Sequence, residues 1–192
     1  MQKLLIGAMV LGLNAGVGHA QQVQVYTQAH TVQIHSGVRL HPTTQQEFDQ
    51  QFRKSNYFGA FVISANGAYG WSKGYLTEDA AVYQATQTCE NYRQPHEAEC
   101  TLYATLIPVG YQDMAGQTLS YEATEDFFEI RDTTEGAAAF VVSDAGVWGW
   151  SSGYDTEFEA ISGAFNSCVD EAALDAELDT VQFPCHLVWT RP

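Results

Sequence analysis

The sequence predicts an α+β fold of two tandem α-β-β-α-β units, each a small antiparallel sheet covered by helix and held by one disulfide. Three observations predict it: an internal repeat at an offset of 79 residues, a hairpin signal followed by a small-residue helix in each copy, and four cysteines at corresponding places. Residues 40–89 slide onto 119–168 without a gap. Phe61, Val62, Ser64, Gly67, Gly70, Trp71, Ser72, Gly74, Tyr75, Thr77 and Glu78 are identical to their partners, as are Leu40, Phe48, Ala81, Ala85 and Cys89. Identity at one fixed offset is the mark of duplication, and 79 residues is too long for a solenoid repeat. The expected organisation is therefore a leader (1–20), a Gln/His-rich lead segment (21–39), unit one (40–110), a linker (111–118) and unit two (119–192).

Each element follows from local chemistry. Residues 43–53 are polar, with Phe48 and Phe52 four apart behind Pro42, and read as a short helix. Residues 58–64 are rich in aromatic and β-branched side chains and read as a strand. Asn66-Gly67 is the strongest short hairpin signal and predicts a type I′ turn; copy two has Asp144-Ala145-Gly146 there. Residues 68–72 read as the return strand, after which Gly74 allows a sharp turn. Thr77 is a natural N-cap, with Glu78 at the positive end of the helix dipole. In the helix over 78–91, Ala81, Ala85 and Cys89 recur every fourth residue and stack a small-residue face that can lie close on a sheet. Val82 and Ile161 widen that apolar stripe. Final strands are expected over 100–107 and 185–190, and a lead strand over 23–34.

Four cysteines allow three pairings. Cys89 and Cys168 stand at helix ends, Cys100 and Cys185 at strand starts, so the repeat selects Cys89–Cys100 and Cys168–Cys185. Each bridge closes a short loop and contributes about 3 kcal/mol by the chain-entropy estimate, a useful staple for so small a unit. There is no C-x-x-C motif, so a redox or metal site is not expected from the cysteines.

The hairpin and helix carry G-A-F-x-x-S-x-N-G-A-Y-G-W-S-x-G-Y, then A-x-x-x-A-x-x-x-C, then a second cysteine before an apolar strand. In this the chain resembles the bacterial secreted family titled domain of unknown function 4189, over roughly 58–107 and again over 137–190. The resemblance implies a small exported α/β domain and no particular chemistry. This chain departs from the pattern in having two copies and an acidic second copy.

Export is also the reading of the N-terminus. Lys3 precedes an apolar stretch over 4–17, and Gly18-His19-Ala20 supplies small residues before Gln21. The stretch is too short to span a bilayer, so the leader is expected to be removed and the remainder not to insert in a membrane. A periplasmic or secreted location is expected, one that permits disulfides.

The full chain carries a net charge of −15, and loss of Lys3 with the leader makes it −16. From Val109 onward there are 16 acids and only Arg131 and Arg191 as bases. Such a chain is repelled by phosphate backbones and anionic membranes, so nucleic acid is not an expected partner. Clustered carboxylates at Asp170, Glu171, Asp175, Glu177 and Asp179 lack the spacing and turn glycine of an EF-hand and read as a solvated loop.

No catalytic constellation stands out. Ser64, Ser72, Tyr75 and Glu78 recur at Ser143, Ser151, Tyr154 and Glu157, but no histidine recurs to serve as base. His30, His35 and His41 fall on no common helical or strand period, so neither a metal site nor a cofactor is expected. The candidate ligand-binding residues are aromatic: Tyr69, Trp71 and Tyr75 in copy one, Trp148, Trp150 and Tyr154 in copy two. Alternation along a strand puts Tyr69 with Trp71, and Trp148 with Trp150, on one face. The expected function is an exported, non-enzymatic binding module for a protein or a cell-envelope glycan. The alternatives are an inhibitor-like partner of a basic enzyme, drawing on the acidic second unit, and an envelope hydrolase with its site between the repeats.

Overall fold

A computed structural model describes residues 23–112, 117–174 and 181–192. The expected leader lies outside the described residues, as do 113–116 of the expected linker and Asp175, Glu177 and Asp179 of the acidic loop. The fold is mixed α and β with two disulfides, Cys89–Cys100 and Cys168–Cys185, whose Cα atoms are 6.2 and 6.4 Å apart.

The chain opens with two short strands, β1 (Val23–Gln24) and β2 (His30–Ile34). Then come α1 (Pro42–Gln50), a 3-10 turn (Phe52–Lys54), β3 (Phe58–Ile63), β4 (Tyr69–Tyr75), α2 (Glu78–Tyr92) and β5 (Thr101–Pro108). After β6 (Gln117–Thr118) the order is α3 (Tyr121–Thr133), β7 (Ala137–Ser143), β8 (Trp148–Tyr154), α4 (Glu157–Ala172) and β9 (Cys185–Arg191). The first sheet runs β2-β5-β3-β4 and the second β8-β7-β9, with all neighbours antiparallel. β1 and β6 form a separate parallel pair that ties the two ends of the first half together.

Several expectations change in detail. The lead strand is broken in two, because residues 23–24 pair with β6 while 30–34 extend the first sheet beside β5. The first helix stops at Gln50 and its second phenylalanine sits in the 3-10 turn. The hairpin is not type I′. Gly67 alone has positive φ (101°), Gly67 N–H donates to the Ser64 carbonyl and Ser64 N–H to the Ala68 carbonyl. That is a three-residue loop, a type I turn closed by a left-handed glycine, and Gly146 (φ 90°) repeats it. Gly74 does not end its strand. At φ 77° it sits opposite a register shift in β3, and the strand runs on to Tyr75.

Helices cover both faces of each sheet. α2 lays Ala81, Ala85 and Cys89 on Ala60 and Val62, and α4 lays Ala160, Ala164 and Cys168 on Ala139 and Val141. The small-residue face does bring the helix close. A methyl group on Gly70 would overlap the Ala85 carbonyl and the Cys89 amide, and one on Gly149 would overlap the matching atoms of Ala164 and Cys168. Ser72 fixes the same contact by donating to the Ala81 carbonyl at 2.6 Å, as Ser151 does to Ala160. On the opposite face Phe48 meets Phe61 and Tyr103 edge-on at 5.2 and 5.3 Å. α3 supplies Phe127 and Ile130 to the corresponding face of the second sheet. Both long helices have the expected caps, Thr77 accepting from Ala80 N–H and Thr156 from Glu159 N–H. Thr77→Ala is expected to lower stability by about 1 kcal/mol in urea denaturation, a normal loss for an N-cap.

The halves meet where their sequences differ. Leu76 is 1% exposed and packs with Leu119, Phe140 and Val142 of the second half, while its N–H donates to the Asp144 carbonyl at 2.9 Å. Phe183 inserts its ring between Tyr75 and Tyr83, at 5.7 and 5.5 Å. At the places of Leu76 and Tyr83, copy two has Asp155 and Ser162; at the place of Phe183, copy one has Ala98. Tyr57 is buried at the same junction and stands at φ 57°, where copy two has Gly136 at φ 73°. Burial pushes its phenol up to about 12. A left-handed tyrosine is strained, so side-chain burial between the halves must offset that cost.

Candidate functional site

The recurring aromatic residues do not share one environment. Tyr69 stacks on Phe61 with ring centres 5.7 Å apart and planes 6° apart. Trp71 meets Phe52 edge-on at 6.4 Å, with the Lys73 ammonium 5.8 Å from its ring centre. Both are half-buried on the α1 side of the sheet. Tyr75 is 9% exposed beneath Phe183 and presents no usable surface. In copy two Trp148 is half-buried and its indole N–H donates to Asp126 at 2.9 Å, whereas Trp150 and Tyr154 are 43% and 42% exposed. Alternation thus placed each Tyr/Trp or Trp/Trp pair correctly, but the two pairs belong to separate sheets.

Two grooves meet at the hairpin of the first half. One, of about 420 Å³, is lined by residues 67–71 together with Thr88 and Tyr92. It runs along the outer edge of β4, with Tyr69 and Trp71 on one side and the exposed ring of Tyr92 on the other. Among the described residues no strand pairs with that edge. Ser64 and Ala68 form a hydrogen-bonded pair, and antiparallel pairs alternate, so the inward-bonded residues of β4 are Gly70 and Ser72. The backbone N–H and C=O groups of Tyr69 and Trp71 therefore face outward.

The second groove, of about 1050 Å³, is formed by residues 38–45 and 63–69. It shares Gly67, Ala68 and Tyr69 with the first. Its walls carry Arg39 and His41 and neither aspartate nor glutamate. Sequence reasoning did not find this groove, since it combines two segments and its distinctive residues do not recur in copy two.

The recurring polar residues have structural work. Ser72 and Ser151 bind helix carbonyls, and Ser64 and Ser143 close the hairpins, Ser64 accepting from Ala68 N–H and Ser143 from Ala145 N–H. Glu157 accepts from the Thr190 hydroxyl at 2.6 Å. The three N-terminal histidines are separate: His30 bonds the Arg53 carbonyl, His35 the Thr105 hydroxyl and His41 the Thr43 hydroxyl. Among the described residues no group of three or more His, Cys, Asp or Glu side chains is placed to hold a metal ion, and no helix is long and apolar enough to cross a membrane.

No protein-family model, curated protein or solved structure matches the chain.

Proposed function

We propose that the chain is an exported binding module that takes an extended protein segment along the free edge of β4. The observation that carries this reading is the groove around residues 67–71, which combines outward backbone donors and acceptors with flanking aromatic rings. A strand added to a sheet edge gains main-chain hydrogen bonds, and side pockets select among sequences. Tyr and Trp offer large contact area together with a polar handle, which suits such flanks. Backbone complementarity favours a protein segment over a glycan. Export is supported by the leader-like N-terminus and by two disulfides that an oxidising compartment would maintain. The resemblance to the secreted family named above belongs to the same proposal and adds no chemistry to it.

The test is selection from a random octapeptide library against the oxidised chain, in parallel with a glycan array. Enriched peptides are expected to lose at least tenfold in affinity for Trp71→Ala and to bind Trp150→Ala unchanged. Equal binding by a folded Trp71→Ala variant, or binding confined to the glycan array, would reject the edge-strand reading.

A second reading has one observation of its own. Glu122, Glu125, Glu129 and Asp132 are exposed along α3, at spacings of three and four that put them on one side of the helix. That stripe supports an inhibitor-like partner of a basic enzyme, with association falling steeply as salt rises.

A further inference from the structure

We infer that the larger groove, at the N-terminus of α1, is a carboxylate-binding site, and that it receives the free C-terminal carboxylate of the segment proposed to lie along β4. The second half of this inference rests on the edge-strand reading. β4 begins at the hairpin and runs away from it. A segment antiparallel to β4 therefore runs toward the hairpin, and its C-terminus arrives where the two grooves join at Gly67, Ala68 and Tyr69.

The groove offers what a carboxylate needs. The first amides of a helix have no intrahelical partners and carry its positive dipole end. In α1 Pro42 has no N–H and the Gln45 N–H donates to the His41 carbonyl, so the free amides are those of Thr43 and Thr44; no side chain caps them and no acid stands in the first turn. The same position in the second half is occupied differently: Ser120 accepts from Ala123 N–H at 3.1 Å and Glu122 supplies negative charge. Thr44 adds a second observation. It is 6% exposed and lines the groove, and its hydroxyl has no hydrogen-bond partner among the described residues. No unpartnered side-chain oxygen among the described residues is sealed from solvent, so this hydroxyl is within reach of a small ligand at the groove that Thr44 lines. Copy two has Ala123 at that place. Arg39, on the same wall, makes no ion pair among the described residues, and copy two has Thr118 there.

Charge selects the class of ion. A guanidinium matches a carboxylate fork to fork, and hydroxyl and amide donors complete the shell. With His41 neutral, Arg39 is the one full positive charge of the site, in a chain of net charge −15 counted the same way. That suits a monoanion; a phosphate dianion would need a second cation to balance it against the surrounding field.

The experiment is amide-resolved NMR titration of the oxidised chain lacking residues 1–20, at constant ionic strength. The probes are sodium acetate, sodium phosphate, and the peptide Ac-Lys-Thr-Val-Thr-Val as free acid and as C-terminal amide. Acetate is expected to give saturable shifts at Thr43, Thr44 and Gln45 with millimolar affinity, and to bind more tightly than phosphate. The free-acid peptide is expected to bind at least tenfold tighter than the amide and to shift Tyr69 and Trp71 as well. Arg39→Gln should abolish the acetate response and Thr44→Val should weaken it several-fold, each with the remaining spectrum unchanged. Non-saturating acetate shifts, tighter phosphate binding, or a wild-type response in Arg39→Gln would overturn the site. Saturation by acetate with no peptide effect on β4 would leave the carboxylate site standing and reject the edge-strand reading. Equal β4 shifts from acid and amide would do the reverse.

Discussion

Gly149→Ala is expected to destabilise the protein by about 3 kcal/mol or more, a large effect for one added methyl group. The added carbon would fall on the Ala164 carbonyl and the Cys168 amide, with the Cys168 Cα only 2.7 Å away. These are backbone atoms of α4, so no rotamer change can relieve the overlap; the helix must move off the sheet. Movement would open the contact of Ala160, Ala164 and Cys168 on Val141 and stretch the Ser151 hydrogen bond to Ala160. The measurement is the urea midpoint, at constant slope, of the oxidised chain. Gly37→Ala is the control, since a methyl group there would meet nothing within 4 Å, and it should change stability by less than about 0.5 kcal/mol. A loss below about 1 kcal/mol for Gly149→Ala would mean that the helix packs less tightly than described.

Leu76→Asp is expected to cost about 4 kcal/mol, by removing a buried leucine and placing a carboxylate among Leu119, Phe140 and Val142. The substitution installs in copy one the residue that copy two carries at the same place, where Asp155 is exposed. Its effect therefore reports on the junction and not on the local fold of a unit. Proteolysis between the halves, around residues 109–112, should accelerate in the variant while the two disulfides remain intact. A variant as stable as the parent would show that the halves are not joined through this side chain.

Much of the fold was legible because its determinants are local. Asn66-Gly67 marked the hairpin, Thr77 marked the helix start, and the run Ala81, Ala85, Cys89 announced a close helix-sheet contact. The turn type was missed because only Gly67 adopts positive φ, and Asn66 does not need to. The fourth strand of the first sheet was missed in its placement, since pairing of His30–Ile34 with β5 joins segments about 70 residues apart in sequence. The candidate site was legible in part. Tyr69 and Trp71 followed from strand alternation, but Arg39 and Thr44 did not, because comparing the copies directs attention to what recurs. The residues that make the larger groove unusual are those the second copy lacks. The same is true of Phe183, whose cover over Tyr75 removed one expected binding residue from the surface.

The junction between the halves is also asymmetric. A third unit laid on the second in the same manner would have to bring its hairpin against Asp155 and Ser162, a charge and a short hydroxyl where a leucine and a tyrosine make the first seam. At the opposite end Ala98 offers no ring to reach into a preceding neighbour. Tandem units that shared one docking surface could add end to end without limit, as head-to-tail contacts do when no symmetry closes them. Here Leu76, Tyr83 and Phe183 make one such joint, and Asp155, Ser162 and Ala98 at the matching positions do not offer the same contacts again.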